Sequence, residues 1–409
     1  MNYRSFTQTL REIAAYAWAG GLCITTLDFL SLPLLQWRVS LSYFLFVFAT
    51  LCVAWAEKRE FGSRVFLYRL HDALIFSPWK YLLLYFLWIS LFSPFTPLPV
   101  ASLLYAANGW LSLFAVAISA QFIFCERTTQ GLVLLPDRLA LIFRTYAFTV
   151  GGLLTFLLVS LFLPSQALER LIGSQANLFL YFTLGLPFLL WDLVKDGRRL
   201  VPRSLSLMVF SVGSVVLLLV GRRYFQLSLG CSVAAVLGLF LYKNIRPRLP
   251  TIRIAVVALV AGLGALAAAA ALQAREPLRA GLEHIRIAME AKMRGSFAPA
   301  LDALWETKLL GKGLGITDVL GVWARVLAEA GLIGFLLYAA FFLALIWDLY
   351  RVRRTSRVVV SNIAMVSVAV FLFFASHYVE NPYGAYVWIW YSIWALIAAT
   401  PKKKRSAYR

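Results

Sequence analysis

Residues 326–349 read VLAEAGLIGFLLYAAFFLALIWDL, a run of 24 residues that carries only two charged side chains, Glu329 and Asp348. As a helix it would be about 36 Å long at 1.5 Å per residue, enough to cross a hydrocarbon core of roughly 30 Å. The same kind of run recurs from one end of the chain to the other. Continuous apolar blocks of this length exclude an outer-membrane β-barrel, whose strands alternate apolar and polar residues over about ten positions. The composition agrees. Of 409 residues, 61% are hydrophobic and 14% charged, and the mean hydropathy is +0.77, whereas soluble domains are about half apolar and one quarter charged.

Working outward, about twelve spans are expected, near 13–34, 39–56, 78–95, 100–125, 141–163, 176–194, 204–220, 225–242, 253–273, 326–349, 359–377 and 384–400. Odd-to-even connections such as Pro94–Pro99, Pro164–Gln175 and Glu380–Gly384 are short or poor in basic residues. Even-to-odd connections are basic: Lys58, Arg59, Arg64 and Arg69; Arg127 and Arg138; Lys195, Arg198, Arg199 and Arg203; Lys243, Arg246, Arg248 and Arg253; Arg351, Arg353, Arg354 and Arg357. Lys and Arg accumulate in cytoplasmic loops, so this alternation places both termini in the cytoplasm. It accounts for most of the net charge of +20 as topology, without nucleic acid as a partner. The N-terminus has no compact apolar core followed by a small-residue cleavage site, so the stretch from Ile13 reads as the first membrane helix. Cys23, Cys52, Cys125 and Cys231 all lie in apolar blocks without ligand spacing, which supports neither a disulfide framework nor a zinc site.

The expected fold class is therefore all-α, a polytopic membrane protein of about twelve transmembrane helices with a large helical loop between helices 9 and 10. The segments are 1–274 (helices 1–9), 275–325 (outer loop), 326–400 (helices 10–12) and 401–409 (a basic cytoplasmic tail with Lys402, Lys403, Lys404 and Arg405). The loop carries Arg275, Arg279, Arg286, Lys292, Arg294, Lys308, Lys312 and Arg325 on the face that the charge rule leaves poor in basic residues. Two readings stand: long outer loops escape the rule, or an anionic ligand binds at the outer surface.

Within the loop, Leu278, Leu282, Ile285, Met289 and Met293 recur at helical spacing, and Arg279, Glu283, Arg286, Glu290 and Arg294 form an alternating-sign ladder beside them. The pattern is an amphipathic helix whose charges form a solvated face. Ser296 offers an N-cap to a second helix running to about Leu310, with Pro299 in its first turn. Gly311-Lys312-Gly313-Leu314-Gly315 breaks it. Asp318 can cap a third helix that continues without interruption into the tenth span. The glycine turn follows no strand and lacks Gly-Lys-Ser/Thr, so it is not a nucleotide loop.

The order of these features, an outer loop, then G-x-G-x-G at Gly311, Gly313 and Gly315, then E-x-G-x-x-G at Glu329, Gly331 and Gly334, resembles the O-antigen ligase and Wzy-type polysaccharide polymerase family. Arg294-Gly295 through Leu301 and Leu304 resembles the family's Arg-containing helix before the turn, and Arg222-Arg223 its Ser-Arg at the outer end of the seventh span. The motif-level match covers about forty residues. The ligases carry a His-Asn pair nine residues ahead of the Glu, where this chain has Leu320 and Gly321. That departure favours a polymerase over a ligase. The resemblance implies a periplasmic loop, a bacterial inner membrane and a glycan carried on a polyprenyl diphosphate. It further implies a glycan acceptor, surrounding membrane lipids, a chain-length regulator protein as partner, and no cofactor.

A diphosphate leaving group gains negative charge as the glycosidic bond breaks, and guanidinium groups can offset it without a metal. Arg222 and Arg223, in a very short outer connection, read either as snorkelling interface anchors or as ligands to the diphosphate. Arg294, Lys312 and Arg325 can complete such a site. For the acceptor hydroxyl, His377 is the best-placed base, followed in an outer turn by Tyr378, Glu380 and Asn381. His284 reads as a surface residue, His71 as cytoplasmic, and Asp28 as an intramembrane acid. The thirteen tryptophans and eighteen tyrosines are expected mostly in interfacial belts. Two rival classes remain: a lipid-linked glycan flippase, which would show internal repeats and midplane charges, and a non-catalytic scaffold.

Overall fold

The structure, a computed structural model, describes residues 3–27, 38–75, 78–128, 131–160, 175–194, 199–220, 223–243, 297–315, 317, 319, 321–352, 358–373 and 383–399. In chain order the elements are α1 (Tyr3–Leu27), α2 (Arg38–Phe61), α3 (Ser63–Ile75), α4 (Trp79–Phe92), a 3₁₀ turn (Ser93–Phe95), α5 (Pro99–Leu111), a π-helical segment (Ser112–Ile118) and α6 (Ser119–Phe124). A hairpin of β1 (Cys125–Thr128) and β2 (Gly131–Leu134) follows, then α7 (Pro136–Ser160), α8 (Gln175–Val194), α9 (Arg203–Val220) and α10 (Arg223–Lys243). The chain ends with α11 (Phe297–Glu306), α12 (Val322–Val352), α13 (Val358–Phe373) and α14 (Ala385–Ala398).

Among the described residues, four helices are long and apolar enough to cross a membrane: Leu41–Phe61, Pro99–Phe124, Pro136–Ser160 and Val322–Val352. The pair Ser63–Ile75 and Trp79–Phe95, bent by 86°, makes a fifth if it is one span. Shorter apolar helices at Leu178–Val194, Arg203–Leu219, Gln226–Leu239, Val360–Phe373 and Ala385–Ala398 accompany them. The chain is a helical membrane protein. The expected ninth span and the loop up to residue 296 lie outside the described residues.

Several starts follow from local chemistry. Pro99 and Pro136 open their helices, where a missing N–H has no cost, and Asp137 sits in the favourable first turn of α7. Gly62, at φ +81°, ends α2 by donating its N–H to the Lys58 carbonyl at 2.9 Å and turns the chain into α3.

The centre of the bundle is α14, where Trp388, Trp390, Tyr391 and Trp394 are all buried. A helix apolar on every face belongs inside. It packs against the π-helical segment, α12, α13, α1 and α6. Because lipid is as apolar as these side chains, packing contacts and interior hydrogen bonds hold the helices together. Phe342, Phe371 and Trp394 surround Tyr391, with ring centroids 5.4–5.9 Å away. Each such pair is worth about 0.5–1.5 kcal/mol beyond area burial. Glycines admit the large rings: Gly109 lies against Phe86, and Gly185 against Tyr146.

At the end of the bundle where α2 meets α3, Arg11 donates to Glu57 at 2.6 Å and lies 2.8 Å from Glu60, while Arg69 pairs with the other oxygen of Glu57. Some of the charge assigned to topology thus also ties α1, α2 and α3 together.

The structure corrects several expectations. Helix α1 starts at Tyr3, ten residues before the apolar stretch, because its polar first turns are helical too. The basic connection after α2 contains the helix α3, and the connection after α6 contains a hairpin that pairs Cys125 with Leu134 and Thr128 with Gly131. Helix α11 ends at Glu306, short of Leu310. Trp18, Trp79, Trp388, Trp390 and Trp394 are buried inside the bundle. Finally, α12 is not continuous. Gly331, at φ 69° and ψ −170°, breaks it within the apolar run.

Candidate functional site

The break in α12 is filled by the glycine turn. A helix interrupted at residue 331 leaves carbonyls before the break and an N–H after it without helical partners. The turn supplies them. Lys312 N–H donates to Ala328 O at 2.8 Å, Gly313 N–H to Glu329 O at 2.9 Å, and Leu332 N–H to Leu309 O at 3.0 Å. Trp88 of α4 donates its indole N–H to Ala330 O at 3.1 Å. Every one of these buried backbone groups therefore has a partner.

The glycines make the docking possible. Gly311, Gly313 and Gly315 have φ of 89°, 100° and 71°, a region that side chains with a Cβ avoid. A Cβ on Gly311 would lie 2.5 Å from the Gly331 nitrogen and 2.6 Å from Glu329 O. A Cβ on Gly331 would run into the backbone of Leu309 and Leu310. The two motifs, G-x-G-x-G and E-x-G, are thus two halves of one contact. Thr307 completes the lead into it by accepting the Gly311 N–H on its hydroxyl at 2.9 Å. From α5, Ser102 accepts the Leu314 N–H at 3.2 Å, and the Tyr105 ring lies where a Gly315 side chain would be.

Beneath the turn is a buried ion pair. Arg325 Nε donates to Glu329 Oε1 at 2.9 Å, and the Thr317 hydroxyl donates to the same oxygen at 3.2 Å. The Gly315 amide also faces this carboxylate. The Glu329 side chain is 0% exposed and that of Arg325 14%. Among the described residues, Glu329 Oε2 has no hydrogen-bond partner. Close by, the hydroxyls of Tyr85 and Tyr383 share a hydrogen bond of 2.9 Å, joining α4 to the turn before α14. Burial, and then the neighbouring Tyr85, push the Tyr383 hydroxyl well above the ordinary phenol range, so it is a neutral hydrogen-bonding group. Lys312 lies at the surface, 2.7 Å from Glu306.

Of the residues singled out from the sequence, Arg325 and Lys312 both belong to this unit. Arg325 points inward to Glu329, while Lys312 stays half-buried at the rim. Arg223 begins α10, and its side chain is outside the described residues. So are Arg222, Arg294, His377, Glu380, His284 and Asp28. His71 is exposed on α3. Sequence reasoning missed Thr317, Tyr85, Tyr383, Ser102 and Trp88. The i,i+4 spacing of Arg325 and Glu329 was the one visible signal for the pair.

Fold and site together define a helical membrane protein with a broken span, a docked glycine turn and a buried guanidinium–carboxylate pair. The chain matches no family model and no curated protein.

Proposed function

We infer that the chain is a metal-independent glycosyltransferase of the bacterial inner membrane. It has about twelve spans with both termini cytoplasmic, and it acts at the periplasmic face on a polyprenyl-diphosphate-linked glycan. The reaction is polymerisation of a polysaccharide such as O-antigen or exopolysaccharide. The observation that carries this reading is that two separated motifs, the glycine turn and the Glu329–Gly331 segment, meet in one buried site containing Arg325. A turn that served only to connect helices would need neither that docking nor a buried charge.

In this reading the donor's diphosphate is held by Arg222, Arg223 and Arg294, with Lys312 at the rim and Arg325 behind it. Guanidinium groups bind such oxygens through paired hydrogen bonds and strengthen their hold as the bond to the anomeric carbon breaks. His377 and Glu380, just before Tyr383 in sequence, serve the acceptor side. A chain-length regulator is a partner of the same reading.

The test is the glycan made by cells with and without the chain, joined to an assay of purified protein with lipid-linked glycan. Loss of the chain should collapse a ladder of products to a single repeat on the lipid carrier. Long chains stranded on carrier would mean a ligase instead. Transbilayer movement without elongation would mean a flippase, and no change in glycan would refute the enzyme reading.

A further inference from the structure

Among the described residues, two buried glutamates are treated differently. Glu57 is 4% exposed, and both its oxygens are taken, one by Arg11 and the other by Arg69. Such a carboxylate is a structural tie. Glu329 is 1% exposed, yet its hydrogen bonds from Arg325 and Thr317 converge on Oε1 alone, and Oε2 has none among the described residues. A buried charged acceptor left without a donor costs free energy of about 1–3 kcal/mol or more. Where one oxygen is pinned by two donors and the other is buried without a donor, that cost is offset when a hydroxyl donates to it.

We propose that Glu329 Oε2 is the proton acceptor for the sugar hydroxyl that attacks the lipid-linked donor. The proposal rests on the transferase reading above and deepens it by naming the base. As the acceptor oxygen forms its bond to the anomeric carbon, its proton passes to Oε2. The bond from that carbon to the diphosphate breaks, and its electron pair leaves on the diphosphate. Release of the proton to water restores the carboxylate.

Arg325 is then a positioning residue. Its Nε fixes the rotation of the carboxylate, and Thr317 fixes it from a second direction. The Gly315 amide and Thr317 hydroxyl place the segment after the glycine turn against this carboxylate. The assignment also answers the absence of a His-Asn pair at Leu320 and Gly321. The base stands nine and eight residues further on, on the broken helix itself.

The experiment uses the full-length protein in lipid nanodiscs and the lipid-linked glycan that accumulates in cells lacking the chain. Single-turnover elongation and donor binding are measured for wild type and Glu329→Gln, which keeps the shape and one acceptor oxygen but loses the basicity. Turnover should fall by about 10²–10⁴-fold, the range of general-base help, with donor binding within about threefold of wild type. The acid limb of the wild-type pH–rate profile should vanish in the variant. Wild-type single turnover should also be slower in D₂O than in H₂O, a measurement that stands even where the variant fails to insert.

Full-rate elongation by Glu329→Gln would overturn the proposal, as would a wild-type rate indifferent to D₂O. So would a variant whose lost turnover is matched by lost donor binding, since Glu329 would then only orient Arg325. A wild-type protein that elongates nothing overturns the transferase reading together with this one. A wild type that elongates while Glu329→Gln keeps pace overturns this one alone.

Discussion

Replacing Gly331 by alanine tests whether the glycine turn is docked in the way described. At φ 69° and ψ −170° the residue lies in a region that only glycine occupies readily, and holding alanine there costs on the order of 1–3 kcal/mol. The new Cβ would also strike the backbone of Leu309 and Leu310, which cannot rotate aside as a side chain would. Relief requires the turn to retreat, and retreat breaks the hydrogen bonds made by the Lys312, Gly313 and Leu332 amides. At about 0.5–1.5 kcal/mol net for each bond, undocking costs about 1.5–4.5 kcal/mol. Strain and undocking therefore compete at similar size, near 3 kcal/mol, and the ratio of docked to undocked turn falls by about a hundredfold at 1.4 kcal/mol per tenfold.

Hydrogen exchange of the protein in nanodiscs reads this directly. In Gly331→Ala the amides of residues 312, 313 and 332 should exchange about a hundredfold faster, while those of α14 keep their protection. Gly152→Ala is the control. Its Cβ meets nothing within 4 Å in the helix α7, so the change should be neutral or stabilising by up to about 1 kcal/mol. Turn amides that stay fully protected in Gly331→Ala would refute the docking argument.

Arg325→Met should destabilise the protein by about 3–5 kcal/mol, because it strands a buried carboxylate; Arg325→Met/Glu329→Leu should regain much of that stability in thermal unfolding and still elongate no glycan. In an otherwise cysteine-free chain, a cysteine at position 284 should react with an impermeant reagent outside intact cells and one at position 403 should not; labelling of 403 contradicts the orientation. Arg222→Lys and Arg223→Lys keep charge but lose the bidentate fork, so each should slow transfer, and a double variant at the normal rate removes them from the site. His377→Ala should lower turnover less than Glu329→Gln; the reverse order returns proton transfer to His377.

The membrane class was legible because spans announce themselves by length and apolar content. The break in α12 was not. A lone glycine inside an apolar helix costs only about 1 kcal/mol and signals nothing until its partner is known, and Gly311 lies twenty residues earlier in the chain. Helix α3 was hidden by Arg64 and Arg69, which read equally well as a basic loop. The three tryptophans of α14 match an interfacial belt in composition, and only the packing of α1, α6, α12 and α13 around them makes the helix central. Tyr85 sits among apolar residues in WKYLLLYFLWISLF with no polar neighbour to mark it. Its role comes from Tyr383, almost three hundred residues away.

Under the transferase reading, charge balance at the site bears on where the donor's diphosphate finds its partners. Among the described residues, Arg325 is matched by Glu329 and Lys312 by Glu306, while Lys308, exposed just ahead of the turn, is unmatched. The carbonyls of Ala328 and Glu329, which would otherwise present the negative end of a helix segment, are covered by turn amides. Beyond these two ion pairs the turn offers only the exposed Lys308, so it can shape a site but has little charge left to hold a diphosphate. Under the transferase reading the holding charge falls to Arg222, Arg223 and Arg294, which the chain supplies from two other segments. Lys312 and Glu306, exposed enough to be screened, contribute little as a pair. It follows that Lys312→Gln should weaken donor binding less than Arg222→Lys does. Donor affinity that depends chiefly on Lys312 would place the diphosphate on the turn itself.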